Sequence, residues 1–233
     1  MMFLLISRKQ TPEIEIKIRS LVHAGIDAYA VIDDGPVSGK RFITYADEIM
    51  KSNRWTHHMS QKKNMITAWD KATLFAYSTL NVDYVWFCED DVYWNTTRII
   101  KHLYENKSDA DLIAYPLAQS YNENPEWYHW DKVAMITPNK KHWMATYNQL
   151  CRLSRRVLSK MYDLTIQRNR LFFHEGMFAT ICRINGFKIQ YLSEIASSDI
   201  YINIRWDKPY TNEQIKELLK EHKYVLLHPV KLN

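Results

Sequence analysis

The chain has 233 residues, 46% of them hydrophobic and 24% charged, with a formal net charge of +5. This composition predicts one substantial core in a single domain and excludes a disordered or fibrous chain. The mild positive bias suits anionic partners such as nucleotides, but no Lys/Arg block is long enough for a nucleic-acid arm, so no nucleic acid is expected.

Three cysteines, Cys88, Cys151 and Cys182, fit neither a zinc spacing nor a disulfide framework and point to a reducing, cytoplasmic setting. Met2 to Ile6 is too short for a signal-peptide core, and no apolar run approaches the ~18–20 residues of a membrane span. Contact with a membrane surface stays open.

In chain order, Phe3–Ser7 reads as a short apolar strand and Pro12–Ala24 as a helix capped by Thr11. Ala28–Ile32 is a second strand, closed by the turn Asp33-Asp34-Gly35-Pro36. A long helix is predicted over about Ser60–Leu80. The buried strand Tyr84–Cys88 follows and runs into Glu89, Asp90 and Asp91, with Asn95-Thr96 as the next helix start. Asp111–Ala114 is a further strand, while residues 115–145 show no clear period. Leu150–Leu153 reads as a strand, Ser154–Gln167 as a helix, His174–Asn185 as a helix stopped by Gly186, and Lys188–Leu192 as a strand. A helix over Asn212–His222, a strand over Tyr224–Leu227 and the tail His228-Pro229-Val230-Lys231 close the chain.

The alternation in the first half predicts an α/β fold with a mixed, mainly parallel central sheet flanked by helices. Ligands of such sheets gather at the carboxyl ends of the strands. Ser7 and Arg8, Asp33 and Asp34, and the Glu89–Asp91 triplet should therefore share one rim. Three adjacent acids after a buried strand repel one another and are costly to desolvate unless a cation neutralises them. A hard divalent ion, its other positions filled by water and phosphates, meets that need. An acidic turn in water is the plain alternative.

With its strand, the triplet resembles the EDD form of the DxD motif in glycosyltransferases of the GT-A fold. The acidic end of the second strand, the AWDKA segment (Ala68–Ala72), the His174-Glu175 pair and the terminal HPVK (His228–Lys231) are similar to parts of that family's plan. The resemblance implies a Rossmann-like GT-A domain, with a nucleotide-sugar half over residues 1 to about 110 and an acceptor half over about 111–233. It implies transfer of a sugar from a nucleotide-diphospho-sugar, a UDP-sugar first among them, to a glycan or other hydroxyl, with Mn²⁺ or Mg²⁺.

By that resemblance Asp91 and His228 hold the metal. Glu89 joins them or, with Asp90, works through water and the donor's hydroxyls. Lys231 meets the pyrophosphate, and Asp33 and Asp34 accept from uracil or ribose, unless they only form the turn before Gly35-Pro36. Arg8, with Ser7, could contact base or phosphate. Asp70 and Lys71 face the nucleotide or form a solvated helix face. Glu175, at a helix start that favours an anion, is the expected base of an inverting reaction, with Asp131 and Asp199 as lesser candidates. Trp127, Tyr128, Trp130 and Trp143 either stack on an acceptor sugar or pack their own loop onto the core.

Three other classes compete with this one. A nucleotidyltransferase normally has glycines after the first strand, where this chain reads ISRKQTPE. A metal-dependent nuclease or phosphoesterase would use more clustered ligands, and the His57-His58 pair does not supply them. A non-catalytic nucleotide- or sugar-binding module would need neither the acid triplet nor a base.

Overall fold

The structure is a computed structural model and describes residues 1–56, 66–78, 82–118 and 120–231. In chain order its first half holds β1 (Met2–Ser7), α1 (Pro12–His23), β2 (Ala28–Ile32), β3 (Phe42–Ile43), α2 (Asp47–Ser52), α3 (Ala68–Ser78), β4 (Tyr84–Glu89), β5 (Tyr93–Trp94) and α4 (Thr97–Tyr104). The second half holds β6 (Leu112–Ala118), α5 (Trp130–Ala134), a 3-10 turn (Lys140–His142), β7 (Ala145–Ser154), α6 (Arg155–Arg168) and α7 (His174–Asn185). It ends with β8 (Ile189–Tyr191), α8 (Leu192–Ile195), β9 (Ile200–Ile204), α9 (Asn212–Glu221) and β10 (Tyr224–His228). Of the long helix expected over residues 60–80, the stretch 68–78 is α3; positions 60–65 and 79–80 lie outside the described residues.

Short polar side chains start the helices as expected. Thr11 caps α1 and Thr96 caps α4, and Ser154 accepts from the Val157 N–H at the start of α6. Gly186 ends α7 at φ 63°, a left-handed turn that glycine adopts without a steric penalty.

Seven strands form the central sheet in the order β3-β2-β1-β4-β7-β6-β8. All neighbours are parallel except those of β7, which runs antiparallel to both β4 and β6. Helices cover both faces, so the strands read as unbroken apolar runs. Along β1, Leu4 and Ile6 join one core cluster with α3, α6 and α7, while Phe3 and Leu5 join the other with α1 and α4. On that second face α4 buries Ile99, Ile100 and Leu103, each worth about 1.5–3 kcal/mol.

Three features depart from the sequence reading. β7 begins at Ala145 rather than Leu150, because its first half carries buried polar residues, Thr146, Asn148 and Gln149, that mask a strand pattern. A second sheet, β5-β10-β9, has no counterpart in the sequence reading. Its β10 pairs antiparallel with β5, Leu227 opposite Tyr93, and parallel with β9, His228 opposite Ile204. The segment 115–145 is not one loop: it includes the end of β6, then α5 and the 3-10 turn.

Candidate active site

Because β2, β1 and β4 are parallel neighbours, their carboxyl ends lie at one rim, with Ser7 level with Ile32 and Ile6 level with Glu89. The antiparallel β5–β10 pair folds the chain terminus back onto the same rim. The Val230 N–H donates to the Asp91 carbonyl at 2.9 Å. His228 Nε2 then lies 3.1 Å from Asp91 Oδ1 and 3.4 Å from Glu89 Oε2. One ligand atom from each of Glu89, Asp91 and His228 falls within 4.8 Å of the others.

The donor set suits a hard divalent ion: two carboxylates and one imidazole. His228 Nδ1 is 2.8 Å from the Arg205 carbonyl, to which only an N–H can donate, so Nε2 is the nitrogen aimed at the acids. Asp91 Oδ1 is buried, and among the described residues its polar partner is this imidazole. Burial would lower the His228 pKa, but hydrogen bonds to Asp91 and Glu89 outweigh it and raise the group to about 10. A proton here does the neutralising work that a metal would do.

The supports of these ligands come from α3. Trp69 donates its indole N–H to Glu89 Oε1 at 2.8 Å and stacks on the His174 ring at 4.2 Å. Lys71, only 3% exposed, donates to the Asp33 carbonyl and lies 3.3 Å from the Asp33 carboxylate. Burial raises the Asp33 carboxyl, and Lys71 pulls it back. Asp70 is fully buried and accepts from the N–H and hydroxyl of Thr67 at the helix start. Both side chains are buried, so they do not form the solvated helix face of the alternative reading: Lys71 braces Asp33 at the rim, and Asp70 holds the start of α3.

Other rim residues divide by exposure. Ser7 is buried and its hydroxyl donates to Asp90 Oδ2, which turns Asp90 away from the His228 group. Arg8 and Asp34 pair at 2.9 Å on the surface, where such a pair adds little stability. Arg8 lowers the Asp34 pKa. Lys231 is exposed and, with Thr11, Lys17, Asp90, Asp91 and Tyr93, lines a cavity of about 560 Å³.

Glu175 is buried in the first turn of α7 and accepts from Gln149 Nε2 at 2.8 Å. Burial raises its carboxyl to about 8; the Gln149 hydrogen bond opposes this, and the charge of Glu89 adds to it. It lines a cavity of about 470 Å³ with Trp127, Tyr128, Tyr147, Phe173 and Trp206. Two of those aromatics, Tyr128 at 62% and Trp206 at 65%, are the most exposed large hydrophobic side chains among the described residues.

Trp130 and Trp143 are not on that cavity. They stack on each other at 5.8 Å inside a small cluster with Val133 and Ala145, and their indole N–H groups are spent on the Asn124 and Thr137 carbonyls. Packing of the 115–145 segment explains them, and of the three expected tryptophans Trp127 alone reaches the cavity. Asp131 pairs with its neighbour Lys132. Asp199 lines a separate small cavity with Arg98 and His102. The three cysteines are buried free thiols.

No protein-family model and no curated protein matches the chain. Solved structures do. A galactosyltransferase, LgtC, in complex with donor and acceptor sugar analogs, is 13% identical, with 86% of this chain and 75% of that chain covered and a TM-score of 0.49. Mouse xyloside xylosyltransferase 1, in its apo form, is 8% identical over 88% of this chain and 87% of that one, with a TM-score of 0.42. A glycosyltransferase involved in the glycosylation of the major capsid of PBCV-1 is 9% identical over 96% and 91%, with a TM-score of 0.43. All three of these proteins are glycosyltransferases.

Sequence reasoning missed Trp69, Gln149 and Trp206. Trp69 stands one residue from the Asp70-Lys71 pair, so the AWDKA segment did carry a signal. Gln149 and Trp206 have no local pattern to mark them. Among the described residues no helix is long and apolar enough to cross a membrane.

Proposed function

We propose that this chain is a metal-dependent glycosyltransferase of the GT-A kind, which moves a sugar from a UDP-sugar to the hydroxyl of a glycan or similar acceptor with inversion at the anomeric carbon. The observation that carries this reading is the meeting of Glu89, Asp91 and His228, brought from two sheets to the rim where β1 and β2 also end. Mn²⁺ or Mg²⁺ held by these three residues would offset the negative charge that develops on the departing diphosphate. Lys231, beside the same cavity, presents its ammonium to that diphosphate. Asp33, braced by Lys71, accepts from the uracil N–H or a ribose hydroxyl.

Glu175 takes the proton of the acceptor hydroxyl as its oxygen bonds to the anomeric carbon, and the bond from that carbon to the diphosphate breaks. A carboxyl raised to about 8 has a strong proton affinity for a base but is mostly protonated at neutral pH, so transfer should rise with pH toward about 8 as the carboxylate forms. Trp127, Tyr128 and Trp206 wall the cavity beside it and offer flat faces to a sugar ring. The donor half is residues 1 to about 110, and the acceptor half is about 111–233. Three free, buried thiols fit a reducing, cytoplasmic setting.

Calorimetry with UDP, GDP and CDP, each with and without Mn²⁺, tests the donor site. UDP should bind in the presence of Mn²⁺ and lose most of its affinity without it. If no nucleotide binds in a metal-dependent way, the reading is wrong.

A further inference from the structure

Lys17 lies on α1, remote in sequence from the acidic turn, and is half-buried. Its Nζ donates to the Asp90 carbonyl at 2.5 Å and to the Val92 carbonyl at 3.0 Å, and it lies 4.7 Å from the centre of the Trp94 ring. The carbonyl between those two, that of Asp91, accepts from the Val230 N–H at 2.9 Å. Three consecutive carbonyls of the turn are thus held from outside, two by α1 and one by the segment that follows His228. Within the turn, the Val92 N–H donates to the Glu89 carbonyl at 3.2 Å.

We propose that Lys17 is a positioning residue for the cation site: its ammonium fixes the Asp90–Asp91 and Val92–Tyr93 peptide planes while Val230 holds the plane between them, and the Asp91 carboxylate is so aimed at His228 Nε2. The inference rests on the cation reading above. Peptide planes that carry adjacent like charges are free to rotate apart unless something outside the turn restrains them, and a single ammonium with three donors can restrain two planes at once.

Charge and positioning predict opposite signs here, which makes the assignment decidable. A positive charge beside a cation site repels the incoming ion, so removing it for electrostatic reasons alone would tighten binding. Loss of a positioning contact loosens it.

The test titrates the full chain with Mn²⁺ alone, following the paramagnetic resonance signal of the free ion, with no nucleotide or sugar present. Lys17→Met should bind Mn²⁺ about 10–100-fold more weakly than wild type, the range found when supports of metal ligands are removed. Its circular dichroism should be unchanged. Lys17→Arg, which keeps donors for both carbonyls, should recover most of the affinity, and the exposed-site control Lys9→Met should match wild type. In turnover assays the Lys17→Met defect should show in donor KM at low Mn²⁺, with kcat restored at saturating Mn²⁺. Unchanged or tighter Mn²⁺ binding by Lys17→Met overturns the assignment. Should that variant not fold, Lys17→Gln takes its place, with the same weakening expected and the same outcome fatal. Wild-type protein that binds no Mn²⁺ would overturn the cation reading itself, and Lys17's role with it; binding equal in wild type and variant removes only Lys17.

Discussion

At Glu175, burial and chemistry bear on the same proton. Its carboxyl ionises near 4.5 in the absence of the fold and near 8 within it, chiefly because burial penalises the charged form. The folded chain therefore holds an extra proton between those values. The stabilising contribution is complete below about 4.5 and is lost as pH rises through about 8. Urea unfolding in metal-free buffer should show wild type losing up to about 4 kcal/mol more than Glu175→Gln between pH 5 and pH 9. Parallel pH profiles for the two proteins would remove the burial account. The same variant should keep UDP binding while sugar transfer disappears; normal turnover would exclude Glu175 as the base.

On the scale of elements, α3 shows how one helix start can serve three tasks with three adjacent residues. Successive side chains project about 100° apart around a helix, so Trp69 reaches Glu89, Asp70 caps Thr67 and Lys71 reaches Asp33. The junction of α5 and α7 is equally constrained. A Cβ at Gly176 would collide with Val133 Cγ2 and press on the Trp127 ring at 3.3 Å. Valine is stiff at χ1 and cannot swing clear. Gly176→Ala should thus cost about 1–3 kcal/mol in chemical denaturation. It should also raise the acceptor KM more than the donor KM, because Trp127 walls the cavity beside Glu175. An equal change in both constants would separate that cavity from the acceptor.

For the whole molecule, the proposed cation site would tie the main sheet to the small one: Glu89 ends β4, and His228 ends β10. An ion bound across that junction favours the folded chain by mass action. Mn²⁺ at about 100 times its dissociation constant should contribute about 2.7 kcal/mol, or roughly 5–10 °C in melting temperature for a chain of this size. His228→Ala should lose that shift, and should also lower the metal-free melting temperature, because it removes the imidazolium that faces Glu89 and Asp91. A melting temperature indifferent to Mn²⁺ would contradict a site built across the two sheets.

Features carried by neighbouring residues are legible in the sequence alone. The apolar run into Glu89-Asp90-Asp91, the caps at Thr11 and Thr96 and the stop at Gly186 are local patterns, and the parallel β2-β1-β4 rim follows from the strand–helix alternation. Resemblance, rather than any local signal, suggests His228 as partner to those acids. The early half of β7 is hidden because its polar side chains are satisfied by α7, Gln149 by Glu175 and Asn148 by the His174 carbonyl. Arg205, Trp206 and Lys17 carry no period or motif, and Trp130 and Trp143 carry one that fits a platform as well as a core. By itself the sequence determined the class of fold, the acidic rim and the residues able to hold a cation. Only the tertiary structure decided which of them face one another and which brace the rest, because contacts between distant segments are settled by packing and leave no trace in sequence spacing.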